Sequence, residues 1–393
     1  MVTPVFSRAI VIVLDGAGCG ELPDASAYGD EGSDTLGHVA ARVPLRVPHL
    51  RSIGLGRVTA LGGAEAPVSG AYGRMAEVSP GKDSVTGHWE LMGLRLETPF
   101  ATFPQGFPAA LIDEFERRIG RSTLGNVVAS GTAIIDQLGE EHLRTGRPIV
   151  YTSADSVFQV AAHEDVIPVA EQYRICETAF DLVAPAGVAR VIARPFIGSP
   201  GRFTRTSHRH DYAVAPWGET LLDRLTGRGI AVTAIGKVND LFAGRGISRT
   251  IPTVSDDAGM AALATVMEDA AGGLIFLNLV DFDTVYGHRN DVHGYAGNLE
   301  RFDERLGALL VQLRHHDLLV VTADHGNDPT TPSTDHSREY VPVLLAGAHV
   351  ARDVNIGTRE TFADLGQTLA HNFGVSPLSH GRSFLEEIVV QHP

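Results

Sequence analysis

Three apolar runs of this chain end in aspartate: AIVIVLD closes on Asp15, GLIFLNLVDFD on Asp281 and Asp283, and DLLVVTADHG on Asp324 with His325 beside it. A run that is continuously apolar, without period-two alternation, suits a strand covered on both faces, as in a mostly parallel sheet flanked by helices. GIAVTAIGK, ending at Lys237, is a fourth run of this kind. Helical patterns fall between them: LDRLTGR after Trp217, DAGMAALATVMEDA around residue 260, and GNLERFDERLGALLVQLRHH ahead of the Asp324 strand. The alternation predicts an α/β fold. In open sheets of this class ligands bind beyond the carboxyl ends of the strands, which is where these acidic residues fall.

Carboxylates that converge repel one another, and with histidines among them a bound cation is the usual resolution. DFDTVYGH places His288 five residues after Asp283, TADHGND joins Asp324 to His325, and TDHSREY adds His336 twelve residues after Asp324. With Asp15 these make six candidate ligands. Taken singly, each has an ordinary explanation as a helix cap or a hydrogen-bonded loop residue; together, three strands ending in acid with histidine nearby point to a metal site. Asp281 is an alternative to Asp283, and His293 fits a solvated loop. Three Asp and three His suit two divalent ions of the Mn or Zn type, the apparatus of phosphoryl transfer.

GKDSVTGHWELMG, residues 81–93, crowds Lys82, Asp83, Ser84, Thr86 and His88 between glycines. Such a segment contributes little to a core. Read plainly, it is a surface loop whose Thr86 caps a helix beginning near His88. The functional reading makes Thr86 or Ser84 a hydroxyl at a helix N-terminus, beside the cations, that attacks phosphorus. Lys82 or Asp83 would then help orient phosphate or metal.

Composition limits the partners. The chain has 393 residues, 44% of them hydrophobic, and a formal charge of −15. Nucleic acid and anionic membranes both require a basic surface, so neither is expected as a partner. Cys19 and Cys176 cannot form a disulfide framework or a zinc finger, which fits a reducing compartment. The run AIVIVL near the N-terminus is too short to span a membrane, and the cytoplasm is the expected location.

The motifs LDGAGCGELPDA, GSDTLGH, GKDSVTGHWELMG, YTSADSVFQVAAHE, ARPFIGSPGRFTRT, LVDFDTVYGHRNDV and TADHGNDPTTPSTDHSREYVPV run through the whole length. Together they resemble the prokaryotic-type phosphopentomutases of the alkaline phosphatase superfamily. The resemblance implies an alkaline-phosphatase-like core with an inserted, smaller α/β cap, and two Mn(II) ions per chain. Asp15, Asp324 and His325 would hold one ion, and Asp283, His288 and His336 the other. Thr86 would carry the phosphate. Two positions depart from the family pattern: Gly16 stands where Ser is common, and Ser337 where Thr is.

All of these residues lie outside residues 99–215, so segments 1–98 and 216–393 are expected to fold together around an inserted cap. Pro99, Pro104, Pro108 and Pro216 mark the joins. Within the cap, RVIARPFIGSPGRFTRTSHRH carries Arg190, Arg194, Arg202, Arg205 and Arg209. Either it is a solvated basic loop, or some of its arginines clamp the substrate's distal phosphate, Arg194 first and then Arg205. The resemblance suggests that Ser153 and Asp155 contact the sugar, and Lys237 is a further candidate for phosphate or ribose. The implied reaction interconverts ribose 1-phosphate, or its 2-deoxy analogue, and the 5-phosphate through a sugar bisphosphate. Glucose 1,6-bisphosphate or ribose 1,5-bisphosphate would be the activator, and the chain is expected to be a monomer. A metal-dependent phosphatase or another phosphomutase of the superfamily is the alternative, and a non-catalytic metal sensor a more distant one.

Overall fold

The computed structural model describes residues 4–63, 67–153 and 156–390. They divide into two compact units, one built from the segments either side of an insertion that runs from Pro99 to Val214, the other from the insertion itself.

The larger unit is organised on an eight-stranded sheet. Its strands, in spatial order, are Arg249–Ile251, Val232–Ile235, Gly273–Leu279, Arg8–Leu14, Asp317–Thr322, Val341–Ala346, Ala71–Met75 and Val354–Arg359. The first five are mutually parallel; Val341–Ala346 runs antiparallel to both of its neighbours. All four apolar runs that the sequence marks as strands are therefore adjacent in the parallel half. Every residue of Arg8–Leu14, Gly273–Leu279 and Asp317–Thr322 is buried. Each Val, Leu or Ile so covered contributes about 1.5–3 kcal/mol relative to an exposed side chain.

The covering helices pack in two groups. Thr35–Arg42, Pro48–Ser52, Asp256–Asp269 and Val292–Leu310 contact one another, as do Ser84–Leu91, Leu221–Gly227, Val238–Leu241 and Ala363–Asn372. The helix ahead of the Asp324 strand starts earlier than the sequence pattern suggests, capped by Asp291, and stops at Leu310 instead of running on to His316. The reason is Arg314. Its guanidinium donates to the carbonyls of Met267, Glu268 and Ala270, and its backbone N–H to the Asp317 carboxylate, which turns the chain into the strand.

The smaller unit has its own mixed sheet, ordered Leu124–Val128, Ile149–Thr152, Val157–His163, Arg190–Ile197 and Thr204–Arg205, with His210–Ala213 also paired to Arg190–Ile197. Side-chain parity along these strands builds two cores. Val150, Phe158, Val160 and Val191 join the helices Ala109–Ile119 and Val169–Val183, while Ile149, Tyr151 and Ala161 join the helix Gly131–Thr145. Residues of opposite parity on a strand face opposite sides of its sheet, so this sheet is covered on both faces.

Candidate metal centre

The parallel strands end together, and the six acidic and histidine residues singled out in the sequence meet there. Asp15 directly follows Arg8–Leu14, and Asp324 and His325 follow Asp317–Thr322. Asp283 and His288 sit on a π-helical turn, Phe282–Tyr286, and the 3-10 turn after it, Gly287–Arg289. Irregular helical turns of this kind recur where a chain presents functional side chains. His336 lies in the loop before Val341–Ala346. Asp15, Asp283, Asp324, His325 and His336 are buried and His288 is half-buried.

His325 is the hub. Its Nε2 is 3.2 Å from Asp15 Oδ1 and 3.5 Å from Asp324 Oδ2. His325 can share an ion with Asp15 and Asp324 or with Asp283 and His336, the candidate ligand atoms of each trio lying within 4.8 Å of one another. Asp283 reaches both remaining imidazoles at 3.3 Å, His288 Nε2 from Oδ2 and His336 Nε2 from Oδ1. His288 Nδ1 donates to the Thr334 carbonyl and His325 Nδ1 to that of Gly326. Both rings therefore turn Nε2 inward, the orientation that ligating histidines require.

Electrostatics fit a cation here. Burial raises the Asp15 carboxyl, but Lys237 and His325 outweigh it and hold the acid well below the usual carboxylate range. Burial likewise opposes ionisation of Asp283, and His336 and His288 overcome it. Burial favours neutral His325, yet Asp324, Asp15 and Asp283 push its pKa well above the ordinary imidazole value. Protons on imidazole thus stand in for positive charge among three buried carboxylates. Among the described residues no hydrogen bond reaches the buried Asp324 Oδ2, whose neighbours are the His88 and His325 imidazoles at 3.1 and 3.5 Å, a position that a bound cation satisfies. The donor set of carboxylate and imidazole suits a divalent ion.

The opening of the Ser84–Leu91 helix carries both candidate hydroxyls, Ser84 and Thr86. Asp83 caps this helix through the N–H groups of Val85 and Thr86, and Thr86 Oγ1 donates to Asp83 Oδ2 at 2.6 Å. That hydroxyl is turned back onto its own cap. Ser84 Oγ is the one beside the cluster, 3.3 Å from His325 Nε2, 3.4 Å from Asp15 Oδ1 and 3.4 Å from Lys237 Nζ. Gly87 lets the helix come this close, since a Cβ there would collide with the Asp324 carbonyl oxygen. Lys82 pairs with Asp30 at 3.0 Å and Asp335 at 3.4 Å, so its charge is already engaged.

Of the remaining candidates, Lys237 is at the centre, 3.7 Å from Asp15 Oδ2. Asp281 instead accepts from the Asp256 N–H at 2.8 Å, and His293 is exposed on its helix. In the smaller unit, Arg194 is half-buried and donates to Gln159 at 3.1 Å, while exposed Arg205 reaches the Thr132 hydroxyl at 3.2 Å. Ser153 is half-buried just past Ile149–Thr152, and Asp155 lies outside the described residues.

Sequence reasoning missed the supports. Asn278 donates to Asp15 at 3.1 Å and Asn327 to Asp283 at 2.7 Å. His88 Nδ1 is 2.8 Å from the Ser84 carbonyl and 3.1 Å from Asp324 Oδ2. Glu339 accepts from Gly20 N, Thr35 N, Thr35 Oγ1 and Ser337 Oγ, joining the loop after Asp15 to the one carrying His336. The adjacency of His88 to the hydroxyls and of Glu339 to His336 was visible in the sequence, but adjacency alone does not tell which way a side chain turns.

Comparison with known proteins gives this geometry a family. Residues 7–377 match the model of the Metalloenzyme superfamily. The phosphopentomutase of Caldanaerobacter subterraneus subsp. tengcongensis is 54% identical over 388 residues, 98% of each chain. That of Carboxydothermus hydrogenoformans is 54% identical over 385 residues, 97% of this chain and 99% of its own. Among solved structures, a Pyrococcus horikoshii protein aligns with a TM-score of 0.52 at 15% identity, covering 97% of this chain and 100% of its own. Leishmania mexicana phosphoglycerate mutase aligns at 0.50 and 15%, covering 98% of each chain. At that identity the two structures speak to fold alone, whereas the full-length relatives speak to family: this chain belongs to the phosphopentomutases, within the Metalloenzyme superfamily.

Proposed function

We propose that the chain is a phosphopentomutase that interconverts ribose 1-phosphate, or 2-deoxyribose 1-phosphate, with the corresponding 5-phosphate, and that Thr86 carries the phosphoryl group in transit. The observation that supports this is the place of Thr86 in the first turn of the Ser84–Leu91 helix, whose start lies at the cluster, with Ser84 Oγ within 3.4 Å of Asp15, His325 and Lys237. The full-length relatives named phosphopentomutase support the reaction.

Asp15, Asp324 and His325 would hold one Mn(II) ion and Asp283, His288 and His336 a second, with His325 Nε2 near enough to serve either. Bound there, divalent ions supply charge neutralisation at the phosphoryl oxygens. The chain's own groups do the rest. Lys237 places positive charge beside Ser84 Oγ, at the start of the helix that carries Thr86. Asp83 takes the N–H groups of Val85 and Thr86, so the helix start offers the anion its dipole. Asp83 also accepts from the Thr86 hydroxyl, which fixes where that oxygen stands.

In the cycle, the free sugar hydroxyl attacks phosphorus as the phosphorus–oxygen bond at Thr86 breaks, and the proton of that hydroxyl ends on Thr86 Oγ1, which leaves as a hydroxyl. The product is a sugar bisphosphate. Its other phosphoryl group then returns to Thr86 Oγ1, whose proton ends on the departing sugar oxygen, and the isomeric monophosphate leaves. Glucose 1,6-bisphosphate or ribose 1,5-bisphosphate would charge an unphosphorylated enzyme. Residues 99–214 would act as a cap that keeps water from the phosphoenzyme, with Ser153, Asp155, Arg194 and Arg205 binding the sugar and distal phosphate. We take the working form to be a cytoplasmic monomer.

The test is an assay on ribose 1-phosphate with Mn(II) and a trace of glucose 1,6-bisphosphate, following ribose 5-phosphate and free phosphate together. Ribose 5-phosphate without matching phosphate release supports the mutase. Free phosphate alone makes the chain a phosphatase.

A further inference from the structure

At the opposite ends of the same strands lies a cluster that the reaction does not use. His315 and His316 immediately precede Asp317–Thr322, and His349 follows Val341–Ala346, the antiparallel neighbour of that strand. The topology brings a strand start and a strand end together, and with them three imidazoles. Each offers a ring nitrogen within 4.8 Å of the other two. Asp324 and His325 follow the far end of Asp317–Thr322, so six residues of extended chain, about 20 Å, separate this cluster from the metal centre.

The three rings are held in place. His349 Nε2 is 3.0 Å from His315 Nδ1, and the His316 and His349 rings stack at 5.0 Å with 22° between their planes. His315 meets His349 edge-on at 4.4 Å. His316 Nδ1 is 3.1 Å from the Val5 carbonyl, and because a carbonyl only accepts, that nitrogen carries the hydrogen. The lone pair of His316 is then left on Nε2, the arrangement in which a backbone carbonyl fixes the tautomer of a ligating imidazole. The His316 carbonyl accepts from Arg8 N and that of His349 from Val390 N, so each loop is anchored at the cluster.

We propose that His315, His316 and His349 form a second metal site, binding one divalent ion of the zinc class. Imidazole nitrogens alone favour Zn, Ni or Cu over Mn or Mg, which prefer oxygen donors. Zn–N bonds of about 2.0–2.1 Å in tetrahedral geometry put ligand nitrogens about 3.3 Å apart, so the 3.0 Å pair of His315 and His349 needs little movement to accept an ion. His315 and His316 are exposed and His349 half-buried, leaving a route in and a position for water. A bound ion would tie the segment at Val5, the turn before Asp317 and the loop after Ala346 into one staple, distinct in chemistry from the carboxylate-rich centre.

Equilibrium dialysis of Mn-loaded protein against Zn(II) tests the site, comparing the natural chain with the double variant H315Q/H349Q. Because both proteins share the catalytic centre, the site predicts one more equivalent of zinc on the natural chain. A rise in melting temperature on zinc addition should also be lost in the variant. The single variant H316Q, scored in the same two ways, guards against a folding defect in the double one. Equal stoichiometry and equal melting shifts in all three proteins would overturn the proposal.

Discussion

Ser84 Oγ stands 3.3 Å from His325 Nε2, while Thr86, two residues on, gives its hydroxyl hydrogen to Asp83 at 2.6 Å. The two hydroxyls of one helical turn therefore have different surroundings, and mutagenesis should separate them. Thr86→Val removes the proposed phosphate carrier and should lower mutase turnover by at least about 10³-fold. Ser84→Ala loses one hydrogen bond at the centre and should cost within about tenfold. Incorporation of label from a ³²P-labelled sugar bisphosphate reads the same difference directly. Label retained in Thr86→Val and lost in Ser84→Ala would move the role to Ser84.

Stripping the metal should expose the charge imbalance that the ions relieve. In the metal-free protein the pKa of His325 lies well above 6.5, raised by Asp324, Asp15 and Asp283 against the effect of burial. Between the unfolded value and that raised one, the folded chain holds more protons than the unfolded chain, so stability falls as pH rises. The melting temperature of chelator-treated protein should drop from pH 6.5 to pH 9. With Mn(II) restored the trend should flatten or reverse, since deprotonation then favours binding. Parallel pH profiles of the two forms would contradict this.

The parallel half of the core sheet was legible because its runs are apolar without interruption, and a strand that ends in Asp announces both its burial and its exit. Ala71–Met75, with Gly73 and Arg74 inside it, and Val354–Arg359, mostly outside the core, carry no such signal and were not seen. The convergence of the acids and imidazoles was legible for a related reason: carboxylates and imidazoles are scarce at buried strand ends unless they have a partner. The hydrogen-bond partners of Ser84 and Thr86 were not, since they depend on how a short helix is rotated. That rotation is set by the Asp83 cap and by Gly87 against Asp324, contacts distant in sequence. Asn278, Asn327 and Glu339 escaped notice for the same reason, because they act through a partner on another element.

Arg338 should be a structural linchpin of the site. Its side chain is only 2% exposed, pairs with Glu77 at 2.7 Å, and donates to the carbonyls of Ser79, Gly81 and Glu77, the segment leading to Asp83 and Ser84. Arg338→Met leaves Glu77 buried without its cation. The expected cost is about 3–5 kcal/mol by urea unfolding. Arg338→Lys should recover little, because an ammonium cannot serve Asp24, Glu77 and three carbonyls at once. A loss below about 1 kcal/mol in the Met variant would show that the network is dispensable.

Lys237 offers the sharpest division between binding and turnover. Its ammonium lies 3.4 Å from Ser84 Oγ and 3.7 Å from Asp15 Oδ2, so it faces both the start of the helix that carries Thr86 and the acid whose ionisation it helps to maintain. If its charge acts on the phosphoryl group as that group moves, Lys237→Met should lower kcat by about 10–100-fold with a smaller change in KM. Lys237→Arg, which keeps the charge but not the point geometry, should restore part of it. If instead Lys237 only gathers the substrate's phosphate, KM should rise at unchanged kcat. The steady-state constants of the two variants, taken at saturating Mn(II) so that weakened Asp15 ligation is compensated, decide between these roles.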